Sequence, residues 1–311
     1  MRDATSRAAA ACLDWAGKDD KIAADAAAVD AMRVTIARSN MRFTVAIGEG
    51  ELDDAPMLAP NEALGSEGRL EWDLAVDPLE GTYLCAKGLP GAVTTMAAGL
   101  PGSLLSAPDS YMRKVIAGPA VAAQAVHVDS PVKDLLAAVA KSCGKPVSHV
   151  VVCLLDKPRQ HDLIEAVRSA GAKLHLIPDG DVPAALWACR PRRFGVDLYI
   201  GVGGSPEGVL SAAAVKALGG QMSARFEPQD ARQARRLAEW HGIDVGKTLA
   251  LDDMIRGDAV FAMASVTGSA GLAPALRRGA SVEIASFMVS TRYRGGQPLR
   301  FLQQVNPQQD R

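Results

Sequence analysis

Residues 149–177 read HVVVCLLDKPRQHDLIEAVRSAGAKLHLI, and their pattern decides the fold class. Residues 149–155 form a short apolar run of strand length. Residues 161–170 read as a helix, and 173–177 as a second strand. A strand, a helix and a strand in this order are the repeating unit of a parallel sheet. Downstream the alternation continues, with a helix at 182–189, a strand at 196–200 and a helix at 207–218. This half of the chain is therefore expected to be α/β.

Upstream the pattern differs. Residues 4–16 and 22–38 are alanine-rich and read as helices, the second with Ile22, Val29, Met32 and Ile36 on one apolar face. Strands are expected at 42–47, 71–76, 91–98 and 114–117, the third of them after Asp77-Pro78 has stopped the second. Pro56 is expected to help open a short helical stretch. Strands this close together predict a mixed or antiparallel sheet, an α+β arrangement. Gly144-Lys145-Pro146 marks a boundary between an N-terminal α+β domain, 1–147, and a C-terminal α/β domain, 148–311. Two late strands, 259–266 and 281–289, belong to neither sheet by pattern alone, and the polar tail from Gln303 is expected to fray.

Composition narrows the function classes. The chain has 311 residues, 48% hydrophobic and 22% charged, which excludes disorder and fits about two domains. Its 34 Lys and Arg against 35 Asp and Glu exclude the basic excess that nucleic acid or an anionic membrane surface demands. Aromatic content of 5% argues against base-stacking platforms. Five widely spaced cysteines, with no CxxC pair, read as reduced buried thiols. The N-terminus lacks a targeting pattern and no apolar run reaches about 18 residues, so a soluble cytoplasmic protein is expected.

Four places could carry chemistry. Gly48-Glu49-Gly50-Glu51-Leu52-Asp53-Asp54 follows a strand with four acids, which suit a hard divalent cation or make a solvated acidic turn. Asp77-Pro78-Leu79-Glu80-Gly81-Thr82 could present Asp77 and Glu80 to one ion, Gly81 to a phosphate and Thr82 beside the metal. The plainer reading is a turn. Gly201-Val202-Gly203-Gly204-Ser205-Pro206-Glu207-Gly208 leads into a helix, where free N–H groups favour an anion and Glu207 either stabilises the helix or reaches a metal. It lacks the Lys-Ser/Thr of a nucleotide loop. Lys157-Pro158-Arg159 and Asp179-Gly180-Asp181 follow consecutive strands. The first suits a phosphate and the second sugar hydroxyls, against a basic turn and a helix cap. The five histidines show no metal-ligand spacing, and no GxSxG nucleophile elbow is present.

In combination these segments resemble the class II fructose-1,6-bisphosphatases of bacteria, within the lithium-sensitive, metal-dependent sugar phosphatases. The resemblance runs from about Lys18 to Val266. It is carried by KIAAD at 21–25 leading into VDAMR at 29–33, IGEGELDDAPML at 47–58, VDPLEGT at 76–82, APDSYMRKVIAGP at 107–119, Lys157-Pro158-Arg159, IPDGDV at 177–182 and GVGGSPEGVL at 201–210. It implies an α-β-α-β-α layered fold and a phosphatase acting on the 1-phosphate of fructose 1,6-bisphosphate with two or more Mg²⁺ or Mn²⁺ ions. It implies metal ligands at Asp25, Glu49, Asp77, Glu80 and Glu207. Substrate contacts fall on Glu80, Gly81, Thr82, Tyr111, Lys157, Pro158, Arg159, Asp179, Gly180, Asp181 and Gly204, with Thr82, Glu49 and Asp77 at the reaction centre. It further suggests a homodimer or homotetramer.

Asp25, in the middle of a helix, carries no motif of its own. After Gly268 the family's acidic, leucine-rich segment is replaced by Ser269-Ala270-Gly271-Leu272-Ala273-Pro274, and 292–304 is only loosely similar. The competing expectations are a sedoheptulose 1,7-bisphosphatase or dual-specificity enzyme, a non-catalytic phosphosugar-binding regulator and, on the glycine loop alone, a nucleotide-binding module. An inositol phosphatase fits less well, because Lys157-Pro158-Arg159 suits a second phosphate.

Overall fold

The computed structural model describes residues 1–48, 58–66, 71–292 and 297–307. In chain order the first half forms α1 (Arg2–Cys12), α2 (Lys21–Ala37), β1 (Arg42–Ile47), β2 (Ala63–Gly65), β3 (Glu71–Glu80), α3 (Thr82–Lys87), β4 (Val93–Gly99), β5 (Tyr111–Ala117) and α4 (Val132–Cys143). Then follow β6 (Val151–Leu155), α5 (His161–Ser169), β7 (Lys173–Ile177), α6 (Asp181–Cys189), α7 (Pro191–Phe194), β8 (Leu198–Gly204) and α8 (Ser205–Leu218). The chain closes with β9 (Gln221–Phe226), α9 (Ala231–Glu239), β10 (Leu249–Ala250), α10 (Leu251–Met254), β11 (Ala259–Ser265), β12 (Leu276–Arg278), β13 (Ser281–Ser290) and β14 (Leu299–Val305).

Alanine-rich helices lose little side-chain entropy on forming and approach their neighbours closely. α1 and α2 bury Ala4, Ala8, Ala9, Ala24 and Ala28 against each other and one face of the first sheet. Asp20 caps α2, its side chain accepting from the Ala23 N–H at 2.9 Å. Val29, Met32 and Ile36 are buried as expected, whereas Ile22 is 83% exposed. It lies on the first turn of α2, before the buried face begins at Ala24.

The first sheet has eight strands among the described residues, in the order β12-β13-β11-β4-β3-β1-β2 with β14 on the free side of β13. It is mixed, as expected, and it takes in the two late strands that the pattern left unassigned. β3 does not stop at Asp77-Pro78. It continues to Glu80, because its register against β4 shifts between Asp77, opposite Thr95, and Glu80, opposite Val93. Pro78 has no N–H to donate and falls inside this bulge, where the ladder asks for none.

The second sheet has the order β10-β9-β5-β8-β6-β7. Only the β6–β7 and β6–β8 pairs are parallel. β5 runs antiparallel between β8 and β9, so the expected largely parallel sheet is half mixed. Membership crosses residues 144–146 in both directions: β5 belongs to the second sheet, while β11 to β14 return to the first.

Three buried clusters define the layers. α1 and α2 cover the outer face of the first sheet, and α4 and α5 cover the outer face of the second. Between the sheets lie α6 and α8, with Phe261 and Phe287 facing them 6.0 Å apart from the first sheet. The result is the α-β-α-β-α sandwich. A helix between two sheets is apolar all round, and α8 accordingly buries Ala212, Ala213, Ala214 and Ala217. Among the described residues no helix is long and apolar enough to cross a membrane.

Candidate active site

The central layer brings the ends of β3 and β8 together. The bulge leaves both Asp77 and Glu80 buried at the end of β3. Gly81 then takes φ 80°, a left-handed turn that glycine adopts without cost, and α3 starts at Thr82. From the other sheet, β8 delivers Glu207 on the first turn of α8. One carboxylate oxygen from each of Asp77, Glu80 and Glu207 lies within 4.8 Å of the others. Asp77 accepts from the Leu79 N–H at 3.0 Å, and Glu80 from the Val182 N–H at 2.8 Å, which ties the first sheet to the start of α6.

The sequence reading treats 201–208 as a loop after a strand ending at residue 200. Instead β8 itself runs through the glycines to Gly204, paired to β5. These glycines make room for carboxylates as much as for a phosphate. A Cβ on Gly203 would lie 1.8 Å from Asp181 Oδ2, and one on Gly204 would lie 2.0 Å from Glu207 Oε2.

Asp25 is half-buried on α2. The Cys12 thiol is held well above its ordinary pKa, first by burial, then by Cys85 and then by Asp25 and Asp77. Both carboxylates therefore lie close enough to the same buried thiol to act on it, Asp25 from α2 and Asp77 from the end of β3. Glu49 lies outside the described residues, as does the stretch opened by Pro56. Thr82 is half-buried, with its hydroxyl donating to the Leu79 carbonyl at 3.4 Å.

The second group of expected residues lies on the second sheet. Arg159 donates through Nε to the Val202 carbonyl at 2.8 Å, and its guanidinium sits 4.8 Å over the Tyr111 ring. Gln160 pins the same strand, accepting from the Val202 N–H at 3.0 Å. Lys157 is half-buried, Pro158 exposed and Gly180 left-handed at φ 106°. Asp179 is held by the backbone N–H groups of Gly180 and Tyr83. Asp181 is buried at the start of α6, with Lys114 on one oxygen and Tyr199 on the other.

Lys114, Tyr199 and Gln160 escape the sequence reading. For Lys114 a signal exists: it alternates with Met112 and Ile116, which face the central layer, so a charge occupies an inward position of a strand.

The carboxyls repel one another in the absence of a cation. Burial, then Glu207, Asp179 and Asp181, push the Glu80 carboxyl well above its ordinary pKa of 4.5. Burial also raises Glu207 and Asp179, with Lys114 and Lys157 respectively pulling the other way. A carboxyl raised in the fold holds its proton there longer than in the unfolded chain. Its stabilising contribution is thus complete below the ordinary value and is lost as pH rises through the raised one. Carboxyls lowered by pairing, such as Asp3 and Asp253, act in the opposite sense but at pH below their ordinary 3.8. The metal-free protein is therefore expected to lose thermal stability as pH rises above about 5, and divalent cations to abolish this loss. Calorimetry in chelator across pH checks it; a melting temperature that climbs over that interval would contradict the charge arrangement.

Mutually close, largely buried carboxylates that offer oxygen donors alone fit a hard divalent cation.

Known proteins resemble the chain over most of its length. The family profile described as bacterial fructose-1,6-bisphosphatase, glpX-encoded, matches residues 1–304. The fructose-1,6-bisphosphatase 1 class 2 of Escherichia coli K12 is 41% identical over 276 residues, covering 85% of this chain and 82% of the relative. The fructose-1,6-bisphosphatase class 2 of Haemophilus influenzae is 38% identical over 288 residues, covering 88% and 86%.

Proposed function

The chain belongs to the bacterial class 2 fructose-1,6-bisphosphatase family, and from that premise we propose that it hydrolyses the 1-phosphate of fructose 1,6-bisphosphate, giving fructose 6-phosphate and inorganic phosphate. The observation that carries the reading is the convergence of Asp77, Glu80 and Glu207 from two sheets on one point. Asp25 and Glu49 complete the proposed ligand set. When bound, Mg²⁺ or Mn²⁺, two or more ions, lowers the pKa of a coordinated water and neutralises charge on the phosphoryl group.

The side chains do the rest. Thr82 orients the attacking water, and the backbone N–H groups at Gly81 and Thr82 hold the reacting phosphate. Lys157 and Arg159, with Pro158 fixing the turn between them, bind the distal 6-phosphate. Tyr111, Asp179, Gly180, Asp181 and Gly204 line the sugar. Water oxygen forms the new bond to phosphorus as the bond to the sugar oxygen breaks, and no side chain is covalently modified.

A cytoplasmic homodimer or homotetramer is part of this reading. The free, mostly buried cysteines support a reducing compartment. Leu299 and Leu302, 57% and 69% exposed on the edge strand β14, support self-association.

The test is phosphate release from fructose 1,6-bisphosphate, sedoheptulose 1,7-bisphosphate and an inositol phosphate, each with Mg²⁺, Mn²⁺ or excess chelator. Fructose 1,6-bisphosphate is expected to give the highest kcat/KM, and chelator to stop turnover. Activity that persists in chelator, or none on the fructose ester with either metal, rejects the reading. Lys157→Ala is expected to cost about 2 kcal/mol of substrate binding, the worth of one charge-assisted hydrogen bond, and to leave kcat within a few fold. An unchanged KM would remove Lys157 from the distal phosphate.

A further inference from the structure

Lys114 is the one basic side chain among the described residues that is fully buried. Burying an ammonium group is costly unless several acceptors meet it. Here its Nζ donates to Asp181 Oδ2 and, at 3.0 Å, to the Gly204 carbonyl. Asp181 begins α6, and Gly204 ends β8 immediately before α8. One ammonium group thus joins the two backbone segments that present Asp181 and Glu207. The other Asp181 oxygen accepts from Tyr199, itself fully buried. The cradle is close-fitting: a Cβ on Gly203 would sit 2.9 Å from Lys114 Nζ, and one on Gly208 would sit 3.6 Å from its Cδ.

From this geometry we propose that Lys114 is a positioning residue, a resident cation that, with Tyr199, fixes Asp181 and the β8–α8 junction in register with the acid cluster. The proposal rests on the reading of that cluster as the catalytic centre. Lys114 touches neither substrate nor the reacting atoms. It acts through Asp181 and Gly204, and it supplies positive charge beside carboxylates that otherwise repel one another until a divalent cation arrives. Its loss is therefore felt most when that cation is withheld, and a bound cation makes good the charge but not the aim of Asp181.

The experiment compares wild type, Lys114→Met and Tyr199→Phe by melting temperature in chelator and in saturating Mn²⁺, and by KM and kcat on fructose 1,6-bisphosphate. Lys114→Met is expected to melt lower than wild type in chelator, to regain more than half the difference in Mn²⁺, and still to lose about tenfold or more in kcat/KM at saturating metal, as losses of outer partners do. Tyr199→Phe keeps the cation. It is expected to raise KM several fold with kcat within about twofold, and to respond to Mn²⁺ as wild type does. Equal losses of melting temperature with and without metal, together with wild-type kcat/KM, would make Lys114 a packing residue and overturn the proposal. Should Lys114→Met not fold in either condition, Tyr199→Phe decides alone: a wild-type KM overturns the proposal and a raised one upholds it. Absence of turnover in wild type would reject the assigned reaction instead, and the metal dependence of the Lys114→Met melting temperature would then settle the positioning role.

Discussion

Glu80→Gln is expected to cut turnover by about a thousandfold or more, because a lost metal ligand forfeits several kcal/mol of transition-state stabilisation at roughly 1.4 kcal/mol per factor of ten. The same change is expected to leave the metal-free protein as stable as wild type, or more so, at neutral pH. Glu80 is buried among Glu207, Asp179 and Asp181, which all oppose its ionisation. Glutamine keeps the oxygen that accepts from Val182 N–H and carries no charge into that cluster. Activity and stability should thus move in opposite directions, a signature that a misfolded variant cannot produce. Phosphate release at saturating metal and calorimetry in chelator measure the two. Near-normal turnover would remove Glu80 from the ligand set, and a large loss of stability would mean that it carries structural weight.

Gly203→Ala is expected to be the most damaging single-methyl addition in the site. The new Cβ would fall 1.8 Å from Asp181 Oδ2, 2.8 Å from its Cγ and 2.9 Å from Lys114 Nζ. Backbone strain has no part in this, since the position needs no left-handed conformation. Either the strand shifts or the buried ion pair opens, at a cost of roughly 3 kcal/mol or more, equivalent to a melting temperature lower by roughly 5–10 °C. Mn²⁺ should not repair it, because the clash lies in the protein. A melting temperature within 1–2 °C of wild type, a shift typical of harmless changes, would mean that Asp181 can retreat freely and that its clamp is loose.

The pieces of the fold that depend on local pattern were legible. Lys173–Ile177 and Arg42–Ile47 occupy the expected strands, and α2, α5 and α8 the expected helices within a few residues. The failures have local causes. Pro78 reads as a stop because a proline usually ends a ladder, yet a bulge absorbs it. Gly201, Gly203 and Gly204 read as a loop because glycine is poor in strands, yet the strand is central, and carboxylates fill the space beside Gly203 and Gly204. Of the elements missing from the expectations, β9 and β14 lack a clean alternation and α9 is mostly polar and charged, whereas α4 does carry a readable apolar face in Leu135, Leu136, Val139 and Ala140. Asp77, Glu80 and Glu207 were each readable as candidates next to a strand end. What no window of sequence could show was that the ends of β3 and β8 meet, because that depends on two sheets stacking across α6 and α8. Asp25 needed the family resemblance, since a lone acid in an alanine-rich helix looks like any solvated side chain.

The hydrogen bond from Val182 N–H to Glu80 spans 102 residues of chain, and that span sets a schedule for the newborn protein. A ribosome extends a chain at about 5–20 residues per second, so the end of β3 waits for several seconds before α6 exists to meet it, and longer still for α8 and Glu207. During that interval Glu207 is missing, so the cluster that draws a carboxylate from each sheet is incomplete. Capture of a cation by the complete cluster follows closure of the sandwich, so in a refolding experiment recovery of full metal affinity should lag behind recovered helix and strand signals.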